Sequence, residues 1–148
     1  MVATSVGFAG GRTARPTYER VCGKRTGHAE VVAVAHNLRQ LTTARLLVEF
    51  FVLHDFSQDR RGNGGQYRSA IFLPAGGRHL TAQRRAAERA IDRLTAAGLT
   101  VSTEVREVDH FWPAGGRHQQ YCGVRGLTPR LREAAEIRQL LLDNDPAG

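Results

Sequence analysis

Runs of β-branched and alternating apolar residues predict four strands in this chain. The first run ends at Gly10-Gly11 and the third ends at Pro74, because glycine and proline interrupt regular structure. Polar segments rich in Arg, Gly, Asp and Asn separate the runs and predict loops. The four predicted strands cover residues 2–8, 29–35, 66–73 and 99–108.

Two segments with helical spacing lie between these strands. The segment 44–54 is apolar nearly all round, so we expect it to be buried, with Thr42 or Thr43 as its N-cap. The segment 80–98 is amphipathic, with Thr81 at a cap position and a glycine at its end. Both segments therefore offer an apolar face for packing.

A third helix completes the order of elements. Thr128 followed by Pro129 is typical of an N-cap and a first helical position, and this helix is expected to run to about Leu142. The order β, β, α, β, α, β, α predicts an α/β or α+β sandwich in two layers. We expect a main domain over 1–127, followed by a C-terminal helix and tail over 128–148.

Composition and charge exclude several classes of protein for this chain. The net charge is +7, but the basic residues are spread along the chain, which disfavours a nucleic-acid partner. No apolar run approaches the roughly 18 residues of a membrane-spanning helix, and the amino terminus lacks a secretory pattern. Two cysteines are too few for a disulfide framework. These observations predict a cytoplasmic protein without a membrane partner.

The segment PTYERVCGKRTGHAEVV, residues 16–32, is the densest in side chains that carry chemistry. Its thiol, Cys22, has Arg20, Lys24 and Arg25 as close neighbours in sequence, and nearby cations favour the reactive thiolate. The alternative, which the residues alone favour, is that Cys22 is a small buried apolar residue.

Glu30 opens the apolar strand at 29–35. Burial there would favour the protonated acid, which could donate a proton to an oxygen that develops negative charge. The alternative, favoured by spacing alone, is an exposed carboxylate at the end of a strand. Tyr18 and Tyr67 could donate hydrogen bonds to the same oxygen. The histidine and cysteine spacings lack the usual zinc patterns, so no bound metal or cofactor is expected.

Five groups of short motifs resemble the type A peptide methionine sulfoxide reductase family. They occur in order between residues 6 and 121, as VGFAGG, PTYERVC with TGHAEVV, LHD, RRGN followed by GQYRSAIF, and PAGGRHQQY. The TYERVC…TGHAEVV pair is the longest and the most specific. The resemblance implies an α+β two-layer sandwich with a ferredoxin-like core, and it assigns residues 1–127 to the reductase-like domain.

The resemblance also implies an activity, the reduction of the S-epimer of methionine sulfoxide, free or in proteins, as repair after oxidative stress. In that family a cysteine thiolate attacks the sulfoxide sulfur, while a glutamate protonates the oxygen and two tyrosines hold it. Matched by motif, the glutamate is Glu30 and the tyrosines are Tyr18 and Tyr67. A recycling cysteine and then thioredoxin, an external reductant, would restore the thiol.

This chain departs from the family pattern in three places. The family's nucleophile lies in a GCFWG motif that precedes the VGYAGG strand, and that motif is absent, so we expect an amino-terminally incomplete chain. Residues 62–68 read GNGGQYR rather than the family's GNDxGTQYR, and 113–119 lack an acidic residue of the family's PAExxHQ motif. These departures predict weak or no turnover. The alternative function is a non-catalytic module that binds methionine sulfoxide or an oxidised peptide.

The second cysteine lies in YCGVRG, residues 121–126, which resembles the Tyr-Cys-Gly tail that carries a recycling cysteine in some family members. Cys122 is therefore a candidate recycling thiol only. An ordinary cysteine without a redox role is the alternative for Cys122. Cys22, in contrast, matches a family cysteine that does not attack the sulfoxide.

Overall fold

The structure is a computed structural model that describes residues 2–128 and 134–143. Within them the strands are β1 (Val2–Ala9), β2 (Ala29–His36), β3 (Ala70–Pro74), β4 (Glu104–Val108) and β5 (Phe111–Pro113). The helices are α1 (Tyr18–Cys22), α2 (Thr43–Leu53), α3 (Leu80–Ala96), α4 (Tyr121–Val124) and α5 (Ala135–Leu142). This mixture of helices and strands confirms the predicted α/β class.

The first sheet has three antiparallel strands in the order β2-β1-β5. β1 pairs with β2 along all eight residues of each strand. Its register places Phe8 between Glu30 of β2 and Trp112 of β5. Because residues directly opposite each other point to the same face of a sheet, these three side chains form one row.

The second sheet is a parallel pair of β3 and β4. Parallel neighbours need a crossover connection, and the amphipathic helix α3 supplies it. Ala87 of α3 is fully buried, and Ile71 of β3 and Val105 of β4 pack against its cluster. The small side chain of Ala87 allows the helix to approach the two strands closely.

The main hydrophobic core lies between α2, α3 and α5. Phe51 of α2 and Leu94 of α3 are both 0% exposed, and Ile137 and Leu141 of α5 belong to the same cluster. Phe56 adds an edge-to-face contact with Phe51, with ring centroids 5.3 Å apart. The predicted domain boundary before α5 stays a prediction. Among the described residues, no helix combines the length and the apolar character needed to cross a membrane.

The predicted N-cap residue is correct for one of the two long helices and wrong for the other. Thr42 caps α2, because its hydroxyl accepts a hydrogen bond from the backbone N–H three residues later, at 3.2 Å. The predicted cap of α3, Thr81, is wrong, since α3 begins at Leu80 and His79 holds the cap position. The Leu80 N–H already donates to the Gly77 carbonyl at 3.0 Å, so the preceding turn leads into the helix without a side-chain cap.

Other predicted boundaries need correction as well. The segment 66–73 is strand only within β3, and the segment 99–108 is strand only within β4. The third helix ends at Leu142 as predicted but begins at Ala135, while Pro129 lies outside the described residues. The sequence did not predict α1, α4 or β5, because elements of three to five residues are too short to show a period.

Candidate functional site

The short helix α1 places a phenol and a thiol next to each other. Thr17 caps this helix, and its hydroxyl accepts a hydrogen bond from the Arg20 N–H at 3.4 Å. Tyr18 and Cys22 are four residues apart, so they lie one turn apart on the same side of the helix. Val21 is 1% exposed and anchors α1 in the protein interior.

His28 is a buried side chain that fixes the backbone before β2. Its Nδ1 accepts a hydrogen bond from the Gly11 N–H at 3.1 Å, and its Nε2 donates to the Thr13 carbonyl at 2.7 Å. One accepting and one donating nitrogen define a neutral imidazole. A Cβ on Gly11 would lie 2.4 Å from the His28 ring, so this close approach requires glycine. These contacts fix the backbone two residues before Glu30.

Arg68 fixes the loop that carries Tyr67. Its guanidinium donates to the carbonyls of Gly65 at 2.6 Å and Gly27 at 3.2 Å. It also forms an ion pair with Glu104 of β4 at 2.8 Å. One side chain, 9% exposed, therefore ties the Tyr67 loop both to β4 and to the segment before β2.

Gln66 is a buried residue that connects three segments of the site. Its backbone carbonyl accepts a hydrogen bond from the Glu30 N–H at 2.9 Å. Its side-chain Nε2 donates to the Cys22 Sγ at 3.5 Å. Because Tyr67 is the next residue in the chain, β2, α1 and the Tyr67 loop all meet at Gln66.

The Cys22 thiol and the Tyr67 phenol both influence the ionisation of Tyr18. A hydrogen bond with Cys22, the charge of that thiol, and then the charge and hydrogen bond of Tyr67 raise the pKa of Tyr18 to about 12. Tyr18 is half-buried, and Tyr67 is 58% exposed. The two predicted tyrosines are therefore brought together at a position that a small molecule can reach.

Glu30 is half-buried at the second position of β2. Its exposure is therefore intermediate between the buried acid and the exposed carboxylate that its sequence position allowed. Its neighbour in the first sheet is Phe8, which is 2% exposed, and Trp112 of β5 follows in the same row. The Phe8 position thus lies directly beside Glu30 in the sheet, and Trp112 lies beyond it, two strands away from Glu30. The structure links Glu30 to the tyrosine pair through the backbone of Gln66.

A cleft of about 270 Å³ lies beside Tyr18. His118 stacks on the Tyr18 ring, with centroids 4.7 Å apart and planes 27° apart. Arg117 and Glu19 form an ion pair at 3.3 Å, and because both side chains are 70% exposed this pair contributes little stability. The remaining wall of the cleft is lined by Phe8, Pro16, Thr17, Pro113, Ala114 and Gly115.

Gln119 supports this wall, although no sequence pattern predicted a role for it. Its Oε1 accepts a hydrogen bond from the Val6 N–H at 2.8 Å, and its Nε2 donates to the carbonyls of Val6 at 2.8 Å and Ala114 at 3.0 Å. The side-chain amide therefore continues the pairing of β5 along β1 beyond Pro113. In the sequence, this role of Gln119 is indicated only by the HQQY motif. A single side chain that forms hydrogen bonds in place of a strand backbone leaves no periodic pattern.

The two cysteines occupy different places. Cys22 lies within the tyrosine group on α1, whereas Cys122 lies on α4, four residues after the stacked His118. Both are half-buried and carry free thiols. Within residues 2–128 and 134–143, no three His, Cys, Asp or Glu side chains are grouped to hold a metal ion.

The segments that meet at Gln66 belong to a sequence that matches one family model over most of its length. The model for peptide methionine sulfoxide reductase matches residues 1–136. The chain belongs to the peptide methionine sulfoxide reductase family. This finding confirms the resemblance carried by the sequence motifs.

Curated relatives in the family cover this chain well but are longer. The chain is 43% identical to a peptide methionine sulfoxide reductase of Methylococcus capsulatus, over 84% of this chain and 61% of that protein. It is 40% identical to the mitochondrial peptide methionine sulfoxide reductase of Homo sapiens, over 84% of this chain and 57% of that protein. The chain thus spans about three fifths of the length of these two relatives.

Solved structures of the family share the fold. Methionine sulfoxide reductase A of Corynebacterium diphtheriae superposes with a TM-score of 0.71 at 37% identity, covering 86% of this chain and 66% of that chain. The reduced form of Mxr1 from Saccharomyces cerevisiae superposes with a TM-score of 0.73 at 28% identity, covering 88% of this chain and 77% of that chain. The α/β architecture described above is therefore that of methionine sulfoxide reductases.

Proposed function

We propose that this reductase-family protein takes part in the reduction of the S-epimer of methionine sulfoxide, free or in proteins, to methionine. The observation that carries the proposal is that α1 with Tyr18, the start of β2 with Glu30 and the Tyr67 loop, which come from segments far apart in sequence, meet at Gln66. Two phenols side by side can both donate hydrogen bonds to one sulfoxide oxygen. The residues described here would supply the oxygen-handling half of the reaction.

In this proposal Glu30 is the proton donor. Reduction turns the sulfoxide oxygen into water, so the oxygen gains negative charge and then protons as the sulfur–oxygen bond breaks. A carboxyl-bearing residue beside Phe8, whose backbone is bonded to the residue before Tyr67, is suited to general acid catalysis, which contributes about 100- to 10,000-fold in enzymes. The cleft beside Tyr18 would hold the rest of the methionine sulfoxide side chain.

The reaction also needs two electrons, which two thiols supply as they become a disulfide. We propose thioredoxin as the external reductant, with Cys122 as a candidate recycling thiol. Neither Cys122 nor Cys22 is assigned the attack on sulfur, so we expect binding of the sulfoxide, with little or no turnover, from these 148 residues alone. We further propose that the protein acts in the cytoplasm on oxidised proteins.

Calorimetry with the S-epimer of N-acetyl-methionine sulfoxide methylamide tests the proposal. We expect saturable binding that weakens in Glu30→Gln, Tyr18→Phe and Tyr67→Phe. Glu88→Gln, an exposed glutamate of α3, is the matched control and should bind like the parent protein. Absence of any heat of binding from the parent protein would reject the oxygen-handling role.

A turnover assay with dithiothreitol distinguishes the two candidate functions. Binding without reduction supports a non-catalytic module that holds methionine sulfoxide or an oxidised peptide. Reduction of the S-epimer that Cys122→Ser abolishes would make Cys122 the attacking thiol. Reduction that Cys22→Ser abolishes would instead make Cys22 the attacking thiol and contradict its match to a family cysteine that does not attack the sulfoxide.

A further inference from the structure

We propose that the cleft beside Tyr18 is continued by a basic surface that binds acidic residues next to methionine sulfoxide in an oxidised protein. The partner is a polypeptide segment with Asp or Glu near the oxidised methionine. This inference rests on the proposed function, because it assumes that the cleft holds the methionine sulfoxide side chain. It goes beyond that function by stating which oxidised segments are preferred.

Most of the net charge of the chain belongs to two short segments, residues 10–25 and 110–127. Of the 21 basic and 14 acidic residues in the chain, these segments contain seven basic residues and one acidic residue. They therefore contribute +6 of the net charge of +7, whereas the rest of the chain is close to neutral. A concentration of one sign of charge attracts partners of the opposite sign.

The fold brings these two segments together as the walls of the cleft. The Tyr18 and His118 rings stack, and Glu19 pairs with Arg117. Of the described residues that line the cleft, all but Phe8 belong to the two segments. The seven basic side chains of the walls are all exposed: Arg12, Arg15, Arg20, Lys24, Arg25, Arg117 and Arg125. The cleft thus lies between two positively charged segments.

Three of the basic side chains lie next to the lining residues. Arg15 and Arg20 immediately flank the lining segment 16–19. Arg125 donates a hydrogen bond to the Arg117 carbonyl at 3.5 Å, so its guanidinium lies against the opposite wall. These three side chains are exposed, which leaves them accessible to residues on either side of a methionine sulfoxide in the cleft.

The helix α4 adds apolar side chains to this surface. Tyr121, Val124 and Leu127 are 51%, 76% and 51% exposed, and they are half of the large exposed apolar residues in the part of the chain that the structure describes. The Arg125 guanidinium lies over the Tyr121 ring, 3.9 Å from its centroid. A nucleic-acid backbone offers phosphates and sugars but few apolar groups, whereas a polypeptide offers both acidic and apolar side chains. The combination therefore favours a polypeptide partner.

Calorimetry with three short peptides tests the inference. Each peptide carries the S-epimer of methionine sulfoxide at its centre, blocked termini, and flanking residues that are all Asp, all Ser or all Lys. We expect the Asp peptide to bind about tenfold tighter than the Lys peptide in dilute buffer, since several exposed charge pairs each add a small amount. Added sodium chloride should reduce this ratio, because salt screens exposed charges.

Charge reversal on the walls locates the effect. The triple variant Arg15→Glu, Arg20→Glu and Arg125→Glu should lose the preference for the Asp peptide. The control variant Arg78→Glu, Arg85→Glu and Arg89→Glu changes the net charge equally at exposed positions in α3 and just before it, and it should keep the preference. Circular dichroism checks the fold. If the first triple variant fails to fold, Arg125→Glu alone should still reduce the ratio by about twofold.

Several results would overturn the inference. They are equal affinities of the parent protein for the three peptides, no binding of any peptide, an equal effect of the two triple variants, and tighter binding of oligothymidylate than of the Asp peptide. The last result would assign the surface to nucleic acid. If an Asp peptide with unoxidised methionine binds as tightly as the sulfoxide peptide, the basic surface stands and the proposed function fails. Equal binding of the three sulfoxide peptides leaves the proposed function standing without this inference.

Discussion

The helical half of the molecule and the half that carries the candidate site are stabilised by different interactions. The helical half, built from α2, α3, α5 and the β3–β4 pair, contains both clusters of buried apolar side chains. Around the site, by contrast, three of the four buried polar side chains of the described residues are found: Thr26, His28 and Gln66. The first half is held by apolar packing, whereas the second combines a few buried apolar residues, such as Phe8 and Val21, with polar side chains that bond to backbone.

This difference follows from what each half contains. Helices satisfy their own backbone groups, so their side chains are free to pack. The site half consists of loops around a three-stranded sheet, and loop backbone must find partners elsewhere. His28, Arg68 and Gln119 supply those partners, and each contacts segments distant in sequence. Packing interactions and polar interactions should therefore respond differently to substitution.

The largest effect is expected in the helical half, from Phe51→Ala. Phe51 is 0% exposed in the main core, so its removal leaves a cavity and should cost about 3–5 kcal/mol of unfolding free energy. Denaturant unfolding measures the loss. Leu53→Ala, on the same helix but 54% exposed, is the control and should stay within about 0.5 kcal/mol of the parent. Equal losses in both variants would contradict the assignment of the core to this side of α2.

The next effect is expected in the site half, from Gln119→Ala. This change removes three hydrogen bonds and leaves the Val6 N–H and the Ala114 carbonyl without the Gln119 amide, while the Val6 carbonyl keeps its bond from the Ala114 N–H, so the change should cost about 1–3 kcal/mol. Unfolding by denaturant checks the stability. Gln139→Ala, at an exposed glutamine of α5, controls for the loss of a glutamine side chain as such. A loss of stability no larger than that of the control would mean that water replaces the hydrogen bonds of Gln119 without destabilising the protein.

A smaller effect on stability is expected at the N-cap of α2, which was predicted correctly, and no loss at the wrongly predicted N-cap of α3. Thr42→Ala removes the hydroxyl that caps α2 and should cost about 1 kcal/mol. Thr81 lies inside α3 on its exposed side, so Thr81→Ala should leave stability unchanged or raise it by less than about 0.7 kcal/mol, because alanine has the higher helix propensity. Thermal unfolding of the two variants under the same conditions measures both changes in stability. A larger loss in Thr81→Ala would restore Thr81 as the cap.

The smallest effect concerns a pH-dependent contact between α2 and α5. Arg138 donates hydrogen bonds to Glu49, one of them at 2.9 Å, and so holds the pKa of Glu49 below its ordinary value. A lowered carboxyl pKa adds stability above the unfolded-state value and loses it as pH falls through the folded-state value. The side chains are 42% and 48% exposed, so the gain should stay below about 1 kcal/mol. Glu49→Gln should flatten the stability profile below about pH 5, measured by denaturant unfolding.

Much of the fold could be predicted because long elements leave periodic traces. The apolar run in α2, the small and apolar face of α3, and the β-branched run in β2 each indicated their element correctly. The start of α3 and the three-residue strand β5 could not be predicted in this way, since a turn with its own hydrogen bonds and a short strand show no period. The motifs indicated Tyr18, Glu30 and Tyr67, but not what supports them.

The sequence by itself determined the class of fold, the family and the residues with candidate chemistry, since these depend on local composition and on motifs of adjacent residues. Only the tertiary structure placed Gln66 against Cys22, 44 residues away, and Gln119 against Val6, 113 residues away. Such contacts depend on how distant loops meet, and one hydrogen bond between them leaves no pattern in either segment. The physical roles of Gln66 and Gln119 could therefore be inferred only after folding had brought their partners together.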